Sequence, residues 1–284
     1  MPGISRYGDN GRSMSRLEKL QLTPKKIDYP TRGLQLGFPR LPTSGSPTHI
    51  TVISRWLDQC DDRHECFPRD INFLPTRLID VGFENSPTVR LVCGTSGLAK
   101  GTKYIALSHR WGDAHQKTLK TKKQNVKGLT EWIIPFGALP RTFQDAVKVT
   151  RSLGHNFLWI DSICIIQDDD DDWRDESQRM EAVFSSAYCV IAASCSSGTD
   201  DGFLKPRSER QAISMKDARS RISYYVCEAV DDFTKDVEAN ELNSRGWVLQ
   251  ERALARRTIH FTGRQTYWEC GDGVRCETFA RMKK

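Results

Sequence analysis

The sequence predicts an α/β fold: a mainly parallel sheet flanked by helices, with an inserted β-hairpin and an N-terminal extension. Three observations carry this. First, residues 157–194, FLWIDSICIIQDDDDDWRDESQRMEAVFSSAYCVIAAS, spell strand, acidic loop, helix, strand. The apolar runs 157–160 and 188–193 are short and uninterrupted, as strands buried on both faces are. Between them Trp173, Met180, Val183, Phe184 and Ala187 recur at helical spacing. Second, strands and helices alternate along much of the chain, which points to crossover connections. Third, 38% hydrophobic residues and seven Trp in 284 residues are enough to bury a sizeable core.

The elements follow in order. Residues 1–45 are rich in proline and glycine and hold eight Lys/Arg against three Asp/Glu, so a disordered basic arm is expected. Residues 46–100 form a lead-in that packs on the core. There Ile53, Trp56, Leu57 and Cys60 stand at i, i+3, i+4 and i+7, the spacing of a short amphipathic helix. LPTRLIDVG (74–82) and TVRLVCG (88–94) predict a hairpin turned around 85–87. The main domain is placed at 101–284. Residues 104–107 are its first strand, and Ser108, His109, Arg110 and Trp111 leave that strand's carboxyl end. A Lys-rich stretch, 114–132, is a surface helix or loop. Pro140 opens a helix with the apolar face Phe143, Ala146, Val147, Thr150 and Leu153, closed by Gly154. After 157–194 and a polar loop comes an insertion, 203–243, read as a hairpin from the strand composition of ISYYVCEAV (222–230). SRGWVLQERALA (244–255) is a loop entering a short helix, and TIHFT (258–262) and TYWEC (266–270) are strands.

The net charge of +6 is concentrated in the arm. Beyond residue 45 the chain carries 34 basic and 33 acidic residues, so no nucleic-acid partner is expected. Nine cysteines is an odd number, and they show no disulfide-framework spacing. Cys164, Cys189 and Cys195 lie in or beside apolar runs, where a thiol behaves as a small hydrophobe. There is no signal-peptide core and no apolar run near 18 residues. A reducing, cytoplasmic setting without a membrane span is the expectation.

Several polar groupings were weighed for chemistry. The run Asp168–Asp172 offers oxygens to a hard cation, but one aspartate capping the next helix is the commoner role. Cys60, His64 and Cys66 suit zinc, yet no fourth ligand stands at a recognisable spacing, and Cys270 and Cys276 are distant possibilities. No metal is therefore assigned. A Cys164–His109–Asp161 hydrolase has no nucleophile-elbow context, and Cys164 among isoleucines is expected to be buried packing. No phosphate-cradling glycine loop is present.

Three blocks then stand out: YIALSHRWG (104–112), LPRTFQDAVKVTRSLG through CVIAAS (139–194), and SRGWVLQERALARRTIHFTGRQTYWEC (244–270). In order and spacing they resemble the fungal heterokaryon-incompatibility (HET) domain. CDDRHEC (60–66) and LPTRLIDVG resemble its usual lead-in, so the resemblance covers about 50–276. The chain departs from the pattern at His109 and Arg110, where an aromatic residue and Cys are usual, and at Ile166, where Asp is common. The resemblance implies a programmed-cell-death effector in non-self recognition, self-association and an upstream sensor protein. HET domains are remotely similar to TIR domains, so it also implies a TIR-like or flavodoxin-like core. Some TIR domains cleave NAD at the nicotinamide–ribose bond, which makes NAD a candidate substrate with no further cofactor. A non-catalytic oligomerising or partner-recruiting module is the alternative.

Cleaving that bond asks for a carboxylate beside the ribose, as in glycoside hydrolysis. It also asks for an aromatic wall for the nicotinamide and a cation for the phosphates. Glu251 follows Trp247 by four residues, on one helical face, and this Trp-x-x-x-Glu resembles the catalytic-helix pattern of NAD-cleaving TIR domains. Glu251 is the candidate catalytic residue, Trp247 the wall, and Glu176 the alternative carboxylate. Ser108, Arg110 and Trp111 after the first strand, with Asp161 and Ser162 after the second, are candidate substrate contacts. Arg110 suits a phosphate, and Asp161 and Ser162 suit ribose hydroxyls. Plainer roles compete with these. Trp247 at a helix start is more often core, Glu251 and Arg252 are readable as a surface pair, and Glu176 is expected to cap or salt-bridge.

Overall fold

The structure is a computed structural model that describes residues 4–7, 34–36, 40–112, 119–126, 131–207, 209–216, 223–243, 251–279 and 281–282. In chain order come β1 (Ile4–Tyr7), β2 (Leu34–Leu36), α1 (Pro47–Arg63), β3 (Arg77–Asp80), β4 (Thr88–Cys93), β5 (Ile105–Ser108), α2 (Lys123–Val126) and β6 (Glu131–Pro135). They are followed by α3 (Arg141–Ser152), β7 (Phe157–Trp159), α4 (Asp161–Cys164), α5 (Asp170–Ser186) and β8 (Cys189–Ala192). The last are β9 (Ala212–Lys216), β10 (Ser223–Cys227), β11 (Arg257–Phe261), β12 (Thr266–Cys270), β13 (Gly273–Cys276) and β14 (Arg281–Met282).

Ten strands form one sheet in the order β14-β13-β12-β11-β8-β5-β7-β3-β4-β6. Only its centre is parallel: β11–β8, β8–β5 and β5–β7. Every other neighbouring pair is antiparallel. The expectation of a mainly parallel sheet is therefore corrected to a mixed, mostly antiparallel one. Burial patterns show the physical reason. Central β5 and β8 are buried at every position, whereas β4 alternates exposed and buried over its first four residues. Continuous apolar runs marked the parallel centre correctly. The hairpins on either side do not reverse into crossovers, so they extend the same sheet antiparallel.

The 157–194 unit is present, but β5 lies between its two strands. From β5 the chain goes to β7 on one side, then returns through α5 to β8 on the other. The carboxyl end of β5 is thus a topological switch point. α5 begins as the aspartate run suggested: the carboxylate of Asp169 accepts the amides of Asp171 and Asp172. Asp172 is held by the buried Arg77 at 2.5 Å, tying β3 to the start of α5. Trp159 and Phe184 meet edge-to-face at 5.5 Å between sheet and helix.

The lead-in helix is longer than the expected short one. Pro47 opens α1, Ser46 Oγ accepts the His49 amide at 3.3 Å, and Val52, Ile53, Trp56, Leu57 and Cys60 form its buried stripe. The hairpin expected in the insertion is β9–β10. β10 pairs with β1, and β1 with β2, in a second, four-stranded sheet. Within the arm expected to be disordered or loosely docked, residues 4–7 and 34–36 are strands, and most of the remainder lies outside the described residues. The alternating runs ISRY and LQL are strand-like, and the surrounding Pro/Gly-rich composition had masked them.

Candidate functional site

Glu251 lies in the helical stretch 251–254, which leads into the amino end of β11. Its side chain is buried, 8% exposed, at the wall of a cavity of about 340 Å³. The facing wall is the second half of α5: Ser177, Met180, Glu181 and Phe184. A second cavity of about 530 Å³ shares Ala253 and Leu254 with the first, and Arg69, Arg252 and Arg256 line it. A carboxylate thus stands beside a hollow that three guanidinium groups border. Arg252 does not pair with Glu251. It donates two hydrogen bonds to Glu269, at 2.9 and 3.1 Å, so the surface-pair reading of Glu251 and Arg252 is corrected. Glu269 also meets His260 Nε2 at 2.9 Å. Burial pushes the Glu269 carboxyl up, but the bonds to His260 and Arg252 outweigh it and hold the group well below the usual range. Arg69 is ion-paired with Glu181. Arg256 is exposed and makes no ion pair among the described residues.

The contacts expected after the first two parallel strands gather elsewhere, at the carboxyl ends of β5 and β7. Trp111 Nε1 donates to Asp161 Oδ2 at 2.7 Å, and Asp161 Oδ1 accepts the Ser162 amide at 2.6 Å. His109 Nδ1 stands 3.9 Å from Asp161 Oδ1, with its ring edge-on to Phe143. Ser108 and Ser162 are buried, and Ser162 Oγ has no protein partner among the described residues. Arg110 turns outward to an ion pair with Glu241, in the insertion. None of these residues lines the cavity of Glu251. Trp247 lies outside the described residues. Glu176 is buried, sits 3.6 Å from Arg179 and is not part of the cavity wall, which fits its structural role. Cys164 is fully buried, and burial pushes its thiol up to about 12, as inert packing requires.

A third polar group lies on the seam between α1 and the strands β11–β13. Arg257, fully enclosed, makes an ion pair of 2.5 Å with Asp61, and Tyr188 donates to the same carboxylate at 2.9 Å. Burial pushes Asp61 up, but these two bonds outweigh it and keep the group ionised below its ordinary range. His49 Nδ1 accepts the Gly45 amide at 2.9 Å, so its proton sits on Nε2, which faces Glu277 at 3.0 Å. The end of α1 also meets Cys270. Cys60, His64, Cys66 and Cys270 place one donor atom each within 4.8 Å of one another. The fourth donor that spacing did not supply is therefore Cys270, while Cys276 bonds instead to Thr278 and Asp231.

The model of the family described as heterokaryon incompatibility protein (HET) matches residues 104–251, more than half of the chain. The chain belongs to the HET family. It is 30% identical over 123 residues to the Neurospora crassa protein named heterokaryon incompatibility protein 6, OR allele. That match covers 40% of this chain and 18% of the Neurospora protein, so the chain spans a minor part of that relative. No solved structure matches the chain. The HET segment ends on Glu251 and contains Ser108, Arg110, Trp111, Asp161, Ser162 and Glu176. Arg69 and Arg256, which border the second cavity, went unnoticed in the sequence. Arg256 was the more findable, five residues past Glu251 in ERALAR, but Arg69 sits in an irregular stretch with no pattern around it.

Proposed function

We propose that this HET domain is an effector of programmed cell death in fungal non-self recognition, and that it hydrolyses NAD at the nicotinamide–ribose bond. The observation that carries the reading is the pairing of a buried carboxylate, Glu251, with an adjoining hollow bordered by Arg69, Arg252 and Arg256. NAD has that polarity: a ribose that becomes cationic when nicotinamide leaves, and a pyrophosphate a few bonds away. In the step itself the C1′–N bond breaks, nicotinamide departs with the bonding pair, and Glu251 stabilises the oxocarbenium ion. Water then adds at C1′ and loses a proton, giving ADP-ribose. The arginines hold the phosphates. In this reading the residues at the ends of β5 and β7 shape the domain rather than touch the substrate.

The second reading, a self-associating module without chemistry, has its own observation. β9 is at the edge of the four-stranded sheet, and Ile213 and Met215, on one face of it, are 69% and 54% exposed. An open apolar edge of this kind is a template for a second chain. The two readings are compatible if assembly switches the enzyme on. An upstream sensor would then act by clustering the domain in the cytoplasm. No helix among the described residues is long and apolar enough to cross a membrane.

The test is nicotinamide release from NAD by the concentrated chain, beside Glu251→Ala. Release that vanishes in the variant supports the enzyme and its carboxylate. Equal release by both moves the site, with Glu176 next. No release even from artificially clustered protein leaves the assembly module.

A further inference from the structure

The four donors at the end of α1 come from two distant parts of the chain. Cys60, His64 and Cys66 lie before the HET-matched segment, and Cys270 lies after it, in the last position of β12. The three thiols are buried and the imidazole is half-buried. Cys270 Sγ is 3.7 Å from His64 Nδ1, and all four donor atoms fall within 4.8 Å of each other. Tetrahedral zinc, with Zn–S near 2.3 Å and Zn–N near 2.0–2.1 Å, spaces its ligand atoms about 3.5–3.8 Å apart. The observed set therefore needs a contraction of about 1 Å at most to close on an ion.

The surroundings are those of a metal-bound histidine. His64 turns Nδ1 to the thiols and Nε2 to Asp272 Oδ2, at 3.2 Å. Arg275 donates to that same carboxylate oxygen at 3.1 Å, which fixes it. A carboxylate on the far nitrogen sets the tautomer and orients the ring for ligation. The turn is shaped to fit as well. A Cβ on Gly271 would lie 3.1 Å from Cys66 Sγ, tighter than ordinary packing, so glycine lets the turn close over the thiol. Finally, Arg257 donates to the Cys66 carbonyl at 2.8 Å, which puts a cation beside a site that three thiolates and Zn²⁺ would leave at net −1.

We infer that Cys60, His64, Cys66 and Cys270 bind one structural Zn²⁺ that locks the end of α1 to the β12–β13 turn. Three thiolates and an imidazole select zinc over magnesium or calcium, which want oxygen. Four protein ligands leave no open position, so the role is structural. The ion joins the chain on both sides of the HET segment. Because Cys270 and Gly271 also border the arginine-lined cavity, it steadies one wall of the proposed substrate site.

The test is metal content and ligand chemistry of the whole chain, neither of which depends on activity. Elemental analysis after passage over chelating resin should give one zinc per chain. Cys270→Ser and His64→Asn should each fall to background, while Cys93→Ser, a cysteine outside the cluster, should keep the full complement. Cobalt exchanged into the wild-type chain should show thiolate charge-transfer bands and the visible bands of tetrahedral geometry. Wild-type protein treated with chelator should expose three newly reactive thiols, a readout that stands even where a variant fails to fold. Asp272→Asn should weaken zinc about 10–100-fold in chelator competition. Folded wild-type chain without stoichiometric zinc would overturn the inference. So would unchanged zinc in Cys270→Ser, or a Cys60–Cys270 disulfide in freshly purified protein.

Discussion

The seam between α1 and the C-terminal strands and the cavity of Glu251 are both polar, both partly buried, and only a few residues apart in the chain, Glu251 just before β11 and Arg257 at its start. They differ in what their charges face. On the seam Arg257, Asp61 and Tyr188 bond to one another, as do His49, Glu277 and Arg207. At the cavity beside Glu251, Arg252 and Arg69 are paired with Glu269 and Glu181 yet still border open space, and Arg256 makes no ion pair among the described residues. A closed network holds the fold, and its loss is felt as stability. Charges left at the rim of a hollow gain little for the fold, and their loss is felt in binding or chemistry.

The largest expected effect is on the seam. Arg257→Met removes the guanidinium from an enclosed pair and leaves Asp61 with Tyr188 and the exposed Lys103 at 3.8 Å. A stability loss of about 3 kcal/mol is expected in urea denaturation, near the lower end for broken buried pairs. The turnover of whatever remains folded should not change. An unaltered urea midpoint would mean that the seam is not what holds α1 in place. Next comes Glu251→Gln, close in size and shape. Turnover should fall by about 100-fold or more, as loss of a group stabilising transition-state charge does, while the loss of unfolding free energy stays well below that of Arg257→Met. A stability loss on the scale of Arg257→Met would place Glu251 with the structural group instead.

A pH series separates the seam further. Burial, helped by Lys103 and opposed by Asp61, lowers the His155 pKa from 6.5 to about 4, with its ring 4.6 Å from that of Tyr188. The unfolded chain therefore takes up a proton near 6.5 that the folded chain refuses until about 4. Stability from this group is complete above the upper value and is lost as pH falls toward the lower one. His49 adds in the same direction, its pKa drawn down to about 3 by burial and by Arg207. Comparing urea midpoints at neutral and mildly acidic pH, His155→Gln should show a shallower dependence than wild type. A slope equal to wild type would remove His155 from the account.

The sequence made the centre of this fold legible and left its margins obscure, for physical reasons. Strands such as CVIA, buried on both faces, announce themselves by composition. The amphipathic spacing of Ile53, Trp56, Leu57 and Cys60 did the same for α1. The hairpin β3–β4 was legible from its strands and turn, but how a hairpin joins a neighbouring sheet leaves no trace in composition, so the antiparallel extension of the sheet was missed. Short β13 and β14 were missed too, since four and two residues carry little periodicity. The site divided in the same way. Helical spacing and the HET resemblance singled out Glu251, whereas the arginines around it come from separate stretches that only folding brings together. Cys270, far from Cys60 in sequence, is the same case, because no spacing rule reaches across a whole domain.

A smaller effect sharpens the comparison on the cavity side. Arg256→Ala should raise KM for NAD about tenfold, with kcat little changed, since a rim cation that holds phosphate in ground and transition state alike contributes uniform binding. An unchanged KM would leave the phosphates to Arg69 and Arg252.

The smallest effect expected is also the one that tests the edge of the site. Asp161 binds Trp111 and the Ser162 amide, and its carboxylate is 24% exposed. Asp161→Asn keeps one carbonyl oxygen as an acceptor but loses the charge, so a stability loss of about 1 kcal/mol is expected, the scale of one weakened hydrogen bond. Turnover and KM should stay as in wild type, because Trp111 and Ser162 occupy the oxygens that a ribose would need. Should KM rise instead while stability holds, Asp161 reaches substrate, and the switch point at the end of β5 becomes part of one extended site with Glu251. Asp161 would then bind substrate as well as Trp111 and the Ser162 amide.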